Sequence, residues 1–229
     1  KIAFLYAKTP ATSAWTYAHE LGRLHLEQTF PEEVTTECYE NLTRDLAEKA
    51  IADAIQKGCN IIFTTTPEFV QASVQAAIAH PEVKILNCSL NTSHRYIRTY
   101  YARMYEAKFL MGAIAGAMAE NGQLAYIADY PIFGTIANIN AFALGAKMIN
   151  PRVKVYLEWS TLKDVDLGIA MDNVIKKGVT VVSGRDMVIP EDASRYFGLY
   201  HIEKEAPRNL AMPLWHWGKF YEQLIRTIM

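Results

Sequence analysis

Apolar runs of strand length alternate with amphipathic segments of helical length along most of this 229-residue chain. In the first hundred residues, the apolar runs at 2–7, 34–39, 60–66 and 83–88 predict strands, and the periodic segments at 15–28, 42–56 and 68–79 predict helices. Strands that alternate with helices pair in parallel, and a parallel sheet is covered by helices on both faces. The first part of the chain is therefore predicted to fold as an α/β lobe.

The same alternation starts again after the polar stretch at 91–95. Strands are predicted at 123–129, 153–159 and 179–183, and helices at 134–148 and 165–177. The tail differs, because it has two short strand-like runs at 195–203 and 208–214 and a last helical segment at 215–229. The pattern predicts two α/β lobes, with a tail that returns to complete the first one.

Composition excludes several classes of partner. The formal net charge of −1 leaves no basic surplus for nucleic acid or an anionic membrane surface. The longest apolar run, 109–119, is too short to span a bilayer, and its glycines and alanines indicate a helix packed closely on a sheet. The chain starts with neither an initiator Met nor a leader segment, which suggests that a preceding segment was removed.

The sequence offers no pattern that calls for a cofactor, a metal ion or catalysis. The turn after the first strand lacks the glycines of a dinucleotide site, and no Ser or Cys lies on a glycine-flanked nucleophile turn. His19 and His25 have no acidic partner at metal-ligand spacing, so we interpret both as surface or helix-cap residues. The three cysteines, Cys38, Cys59 and Cys88, lack paired spacing and are interpreted as small buried hydrophobic residues.

Aromatic and small polar side chains follow the predicted strands of both lobes. The carboxyl ends of parallel strands share one edge of a sheet, and ligands of open α/β sheets bind at that edge. An aromatic plate beside a polar rim suits a planar solute with hydrogen-bonding groups. The candidate ligand-binding residues at these positions are Trp15, Thr16, Thr65, Thr66, Phe69, Tyr130, Pro131, Phe133 and Asp186.

The stretch YYARMYEAKFLMGAIAGAMAENGQLAYIADYPIFGTIANINAFALGAKMINPRVKVYLEWST at 100–161 resembles the basic membrane protein family. This family comprises substrate-binding components of ABC transporters, among them purine-nucleoside-binding lipoproteins. SAWTYAHELGR at 13–23 and IIFTTTPEF at 61–69 are similar to the branch associated with adenine or related purines. The resemblance covers nearly the whole chain.

The resemblance implies a type I periplasmic-binding-protein fold, in which a solute is held between two lobes joined by three hinge crossings. The lobes would comprise 1–99 with 210–229, and 100–209, with crossings near Tyr100, Leu199 and Leu210. Trp15 matches the family's aromatic residue that stacks on the base, and Trp217 matches a tryptophan that starts the last helix. Thr65 and Thr66 match the polar loop after the third strand, while Tyr130, Pro131 and Phe133 occupy the second lobe's loop.

One position departs from the family pattern. Where the family has an acidic pair near the end of a strand, this chain reads GLYHIE, with Tyr200 and Ile202 at the acidic positions. Tyr200 is therefore included among the candidate ligand-binding residues. Either Asp186 supplies the missing carboxylate from the neighbouring loop, or the ligand differs.

These features predict a solute-binding protein of an ABC importer that closes two lobes on a purine-like base or nucleoside and docks on a permease. As a lipoprotein or periplasmic protein it would work outside the cytoplasm. In the alternative, the same fold is the ligand-sensing domain of a larger regulatory protein, and such a sensor would be cytoplasmic. An enzyme acting on a nucleoside is disfavoured, because no activated nucleophile or metal cluster is visible.

Overall fold

The computed structural model divides the chain into two compact units. It describes residues 1–89, 95–129, 131, 133–161, 167–186, 195–204 and 206–229, with the backbone alone at residue 133. The first unit comprises Lys1–Ala102 and Trp215–Met229, and the second comprises Arg103–Leu214. The chain therefore passes between the units next to residues 102 and 214.

The first unit is a five-stranded parallel sheet with helices on both faces. Its sheet order is β2-β1-β3-β4-β5, and a 3₁₀ turn at Pro67–Phe69 precedes α3. Its elements are β1 (Ile2–Leu5), α1 (Ala14–Thr29), β2 (Thr36–Tyr39), α2 (Arg44–Gln56), β3 (Ile61–Thr64), α3 (Val70–Ala79), β4 (Lys84–Cys88), β5 (Arg98–Tyr100) and α7 (Trp217–Ile228).

Both faces of this sheet are buried because its central strands are apolar without interruption. All four residues of β1 and all four of β3 are buried, and the two strands pair in register from Ile2 opposite Ile61 to Leu5 opposite Thr64. One core lies between the sheet and helices α1 and α7, and the other lies between the sheet and helices α2 and α3. Continuous apolar runs are the mark of strands that are covered on both faces.

The second unit has a mixed sheet of order β10-β9-β8-β6-β7. Strand β6 pairs in parallel with β7 and β8, whereas β9 pairs antiparallel with both β8 and β10. Its elements are α4 (Met104–Met118), β6 (Gln123–Ala128), α5 (Phe133–Ile149), β7 (Lys154–Trp159), α6 (Leu167–Lys176), β8 (Val181–Ser183), β9 (Leu199–His201) and β10 (Arg208–Ala211).

The predicted fold class, two α/β lobes with parallel-dominated sheets and flanking helices, is confirmed. The tail is divided differently from the prediction. Leu199 and Leu210, where crossings are predicted, lie in β9 and β10 of the second sheet, so the return to the first unit starts at Trp215. Two short strands of mixed polarity carry no sequence signal that says which sheet they join.

The glycines of the apolar run at 109–119 contact another helix, whereas the sequence predicts packing on a sheet. A Cβ atom built on Gly112 would lie 2.0 Å from the Phe142 carbonyl oxygen, and one on Gly116 would lie 2.7 Å from that of Ala146. From the other side, a Cβ atom on Gly145 would lie 1.9 Å from the Phe109 carbonyl oxygen. The missing side chains let the α4 and α5 backbones touch.

The interpretation of the cysteines as buried residues holds for two of the three. Cys59 and Cys88 are buried, but Cys38 is exposed. Cys38 lies on β2, which is an edge strand of the first sheet and is only partly covered. An edge strand contacts the sheet on one side only, so an apolar side chain there can face solvent.

In the part of the chain that the structure describes, every helix is too short or too polar to cross a bilayer.

The contact between α4 and α5 predicts the effect of adding a methyl group at its centre. Gly112→Ala should lower the free energy of unfolding by about 1–3 kcal/mol, because the backbone of Phe142 cannot yield to the new atom as a side chain could. Chemical denaturation checks this. Ala117→Leu adds a larger group at an exposed position of the same helix and should change the stability by less than about 0.5 kcal/mol. Equal effects of the two substitutions would contradict the packing argument.

Candidate functional site

Trp15 is fixed at the carboxyl edge of the first unit's sheet. It lies in the first turn of α1, where the Ser13 side chain accepts a hydrogen bond from the Thr16 backbone N–H at 3.2 Å. The Trp15 indole N–H donates to the Thr65 carbonyl oxygen over 2.8 Å. Since β1 and β3 are neighbours in the sheet, this bond ties the loops after both strands together and sets the orientation of the indole.

Four other rings surround Trp15. Trp215 meets it edge-on at 5.2 Å between ring centroids, and His19 does so at 4.9 Å. Tyr101 lies nearly parallel to it at 6.2 Å, and Trp217 is edge-on at 5.7 Å. We call these five residues the Trp15 cluster. Trp15, Tyr101 and Trp215 keep part of their surface exposed, whereas His19 and Trp217 are buried.

His19 is a buried neutral imidazole, so the prediction of a surface or cap position is wrong for this residue. Its ring stacks on Trp217 at 4.6 Å and 11°, and its Nδ1 atom shares a hydrogen bond with the Tyr221 hydroxyl at 2.6 Å. Burial lowers the pKa of His19 to about 3, because the imidazolium would lose its hydration. The flat neutral ring packs like another aromatic side chain. His25, which is partly exposed, pairs with Glu222 at 2.8 Å.

The polar loop after β3 is held by its own side chains. The Thr65 hydroxyl donates to the Leu5 carbonyl oxygen at 2.8 Å, and the Thr66 hydroxyl accepts from the Glu68 backbone N–H at 3.4 Å. The Asn87 amide donates to the Thr64 hydroxyl and to the Thr66 carbonyl oxygen, each at 2.8 Å. Thr65 is buried, but Thr66 keeps part of its surface exposed.

The sequence analysis did not single out Asn87, the penultimate residue of strand β4, which lies towards the same sheet edge. Its side chain is buried, and its Oδ1 atom has no hydrogen-bond partner within the part of the chain that the structure describes. A buried amide oxygen without a donor is uncommon, because its desolvation is uncompensated. A single polar residue at the carboxyl end of a buried strand was the signal that could have identified it.

The second unit has a polar site around Asp186. The Lys108 ammonium group forms an ion pair with Asp186 Oδ1 and donates to the Ser183 hydroxyl at 3.1 Å. It also lies over the Tyr126 ring, 4.9 Å from the ring centroid. Burial raises the pKa of Asp186, and the Lys108 charge opposes this rise. Lys108 was missed because it falls within an apolar helical run, where sequence alone does not show which way a lysine points.

Asp186 lines a small polar cavity of about 80 Å³ in the second unit. Asp129 lies on the same cavity and accepts a hydrogen bond from the Ser160 hydroxyl at 3.0 Å. Thr135 and Asn138 of α5 complete its polar lining, together with Arg185. The volume fits one polar group of a solute, and the carboxylates favour a group that donates hydrogen bonds.

The remaining predicted residues have these positions. Phe69 is buried in the core between the sheet and helices α2 and α3, and Thr16 is buried in α1. Tyr200 is buried in β9, and its hydroxyl donates to the Met171 sulfur at 3.2 Å. Pro131 is exposed. Tyr130 and the side chain of Phe133 lie outside the described residues.

Comparison with protein families identifies the chain. Residues 1–189 match the Bmp family, which is described as "ABC transporter substrate-binding protein PnrA-like". The chain belongs to the Bmp family. The resemblance found in the sequence is thereby confirmed.

Two relatives differ in the ligand that their names give. A purine-binding protein of Brucella abortus is 30% identical over 189 residues, which cover 80% of this chain and 53% of the relative. A protein of Haloferax volcanii, named as a candidate ABC transporter glucose-binding protein, is 23% identical over 236 residues, covering 99% of this chain and 60% of the relative. The chain thus spans little more than half the length of these relatives.

A solved structure supports the fold. The ABC transporter solute-binding protein from Conexibacter woesei superposes with a TM-score of 0.68 at 14% identity, over 80% of this chain and 62% of that one. At this identity the likeness shows the fold alone, which is that of the periplasmic binding proteins of ABC transporters.

The neutral state of His19 predicts a pH dependence of stability. The unfolded chain binds a proton at His19 below pH 6.5, but the native chain does so only near pH 3. The free energy of unfolding contributed by this residue is therefore complete above pH 6.5 and falls by about 1.4 kcal/mol per pH unit below it. In urea unfolding between pH 6 and 4.5, His19→Phe should remove this contribution to the slope of the unfolding free energy against pH.

His80→Gln is the matched control, because the side chain of His80 is 43% exposed. It should keep the wild-type slope. A His19→Phe protein with the same slope as the wild type would show that the buried ring takes up a proton without cost.

Proposed function

We propose that this chain is the solute-binding part of an ABC importer, which binds a purine-like base or nucleoside and delivers it to a membrane permease. Membership of the Bmp family and the 30% identity with a purine-binding protein support this proposal. It includes no catalysis, and it places the protein outside the cytoplasm, either anchored by a lipid or free in the periplasm.

The orientation of Trp15 is the observation that carries the proposal. The hydrogen bond to Thr65 and the edge-on contacts with Trp215 and His19 hold a partly exposed indole in place before any solute binds. A preorganised ring loses little conformational entropy on binding. Stacking of a base on such a ring contributes about 1–3 kcal/mol, and it suits every planar base.

The buried and exposed candidates have different roles in this proposal. Trp15 supplies the stacking face and Thr66 a hydroxyl at its polar edge, while Asp186 accepts a hydrogen bond in the second unit. His19, Trp217 and Phe69 support these positions through packing. Tyr130, Pro131 and Phe133 are proposed to contact the solute from the second unit, and closure of the two lobes on the solute belongs to the same proposal.

A ligand screen followed by substitution tests the proposal. Adenine, guanine, adenosine, inosine and glucose are first compared by thermal shift, since a ligand that binds only the native state raises its stability. Trp15→Ala should then weaken binding of the best purine by about 1–3 kcal/mol in calorimetry, with the native fold retained. Trp15→Phe should lose less, because it keeps a ring.

Tyr96→Ala is the control. Tyr96 is an exposed aromatic residue of the same unit that precedes β5, at the opposite edge of the sheet from Trp15. Its removal should leave affinity unchanged. Binding of glucose but of no purine would overturn the purine assignment, and an unchanged affinity in Trp15→Ala would remove Trp15 from the site.

A further inference from the structure

Lys108 is an unusual residue for the interior of a helix-covered sheet. Within the described ranges it is the only lysine, arginine, aspartate or glutamate that is buried, and its side chain has no exposed surface. Lysine is almost never fully buried unless it is paired. The partners of its ammonium group therefore show what it does.

The ammonium group has three partners among the described residues of the second unit. It reaches from α4 to Asp186 Oδ1 and to the Ser183 hydroxyl at the end of β8, and it lies over the face of the Tyr126 ring on β6. The side chain of Lys108 has no exposed surface, and Lys108 is not among the residues that line the cavity. Lys108 therefore acts on a solute only through another residue.

Asp186 is the residue through which it can act. One fifth of the Asp186 side chain is exposed, and the residue lines the 80 Å³ cavity with Asp129. Its Oδ1 atom pairs with Lys108, while its Oδ2 atom has no hydrogen-bond partner among the described residues. Oδ1 is thus anchored inward by Lys108, and the exposed part of the Asp186 side chain lies at the cavity wall.

Stability alone does not account for this pair. Replacing a buried ion pair by apolar residues of similar volume is often neutral or stabilising, because the desolvation of two charges offsets their attraction. A methionine at residue 108 would suit the apolar face of α4 better. What the lysine adds is a fixed carboxylate at the cavity wall.

We propose that Lys108 is a positioning residue, which holds Asp186 as an ionised hydrogen-bond acceptor for an N–H or O–H group of the solute. This inference rests on the proposed function, since it assigns the polar end of the same solute. A carboxylate held in this way favours solutes that carry a hydrogen-bond donor at their polar end.

The charges that face Asp186 make the consequence of losing Lys108 predictable. Burial raises the pKa of Asp186, and so does the Asp129 carboxylate from the loop after β6, whereas Lys108 lowers it. Tyr126 and Arg185 are the other titratable groups on the cavity. Without Lys108 the two raising effects remain, so Asp186 takes up a proton at a higher pH. Its acid form is a weaker acceptor than the carboxylate.

The first experiment needs no solute. The carboxyl ¹³C signal of Asp186, assigned with Asp186→Asn, is titrated by NMR in the wild type, Lys108→Met and Lys108→Arg. The midpoint should rise by at least one pH unit in Lys108→Met and stay near the wild-type value in Lys108→Arg. Equal midpoints in all three proteins would overturn the inference, whatever the solute.

The second experiment measures adenine binding by calorimetry between pH 6 and 8.5. Wild-type affinity should change little over this range. Lys108→Met should bind at least tenfold more weakly at pH 6 and recover as the pH rises and Asp186 ionises. A purely structural role would give a loss that is the same at every pH, which would overturn the inference.

Failure of a variant to fold and failure of the wild type to bind adenine have different consequences. If Lys108→Met does not fold, Lys108→Gln replaces it, because the amide keeps a hydrogen bond to Asp186 without the charge; the same rise in midpoint is expected. If the wild type does not bind adenine in calorimetry, the proposed ligand is wrong, while the NMR titration still decides whether Lys108 sets the ionisation of Asp186.

Discussion

A parallel sheet must be covered on both faces, and this constraint organises both units. Helices that return the chain from the end of one parallel strand to the start of the next place the carboxyl ends of those parallel strands at the same edge. In the first unit, Trp15, Thr65 and Asn87 come together because β1, β3 and β4 are neighbours. Residues separated by up to 72 positions along the chain thereby lie at one edge of the sheet.

The first unit builds an aromatic surface on an aromatic core. Phe4 and Phe63 stack in the sheet, and Tyr221 packs on both. His19 and Trp217 are buried as well, and their rings pack edge-on against Trp15. Since a buried imidazole is costly to ionise, His19 can fill this position only as a neutral ring. Packing thus fixes its chemistry as well as its place.

The second unit has a buried ion pair, between Lys108 and Asp186, in place of an aromatic cluster. Helix α4 contacts the backbone of α5 through its glycines, and its Lys108 side chain reaches the sheet at Ser183 of β8. Its ion pair fixes a carboxylate at a cavity wall. The first unit thus presents a partly exposed ring held by its neighbours, and the second presents a carboxylate held by a buried lysine.

The sequence by itself determined the two α/β units, the family and the carboxyl-edge position of Trp15 and Thr66. These follow from the alternation of apolar and amphipathic segments and from long matching motifs, which are local signals. Only the tertiary structure decided that His19 is buried, that Phe69 and Tyr200 face a core, that β9 and β10 join the second sheet, and that Lys108 pairs with Asp186. Each of these depends on which side of an element faces its neighbours. Packing between residues far apart in the chain decides which side this is. The pattern of neighbouring residues in the sequence therefore does not show it.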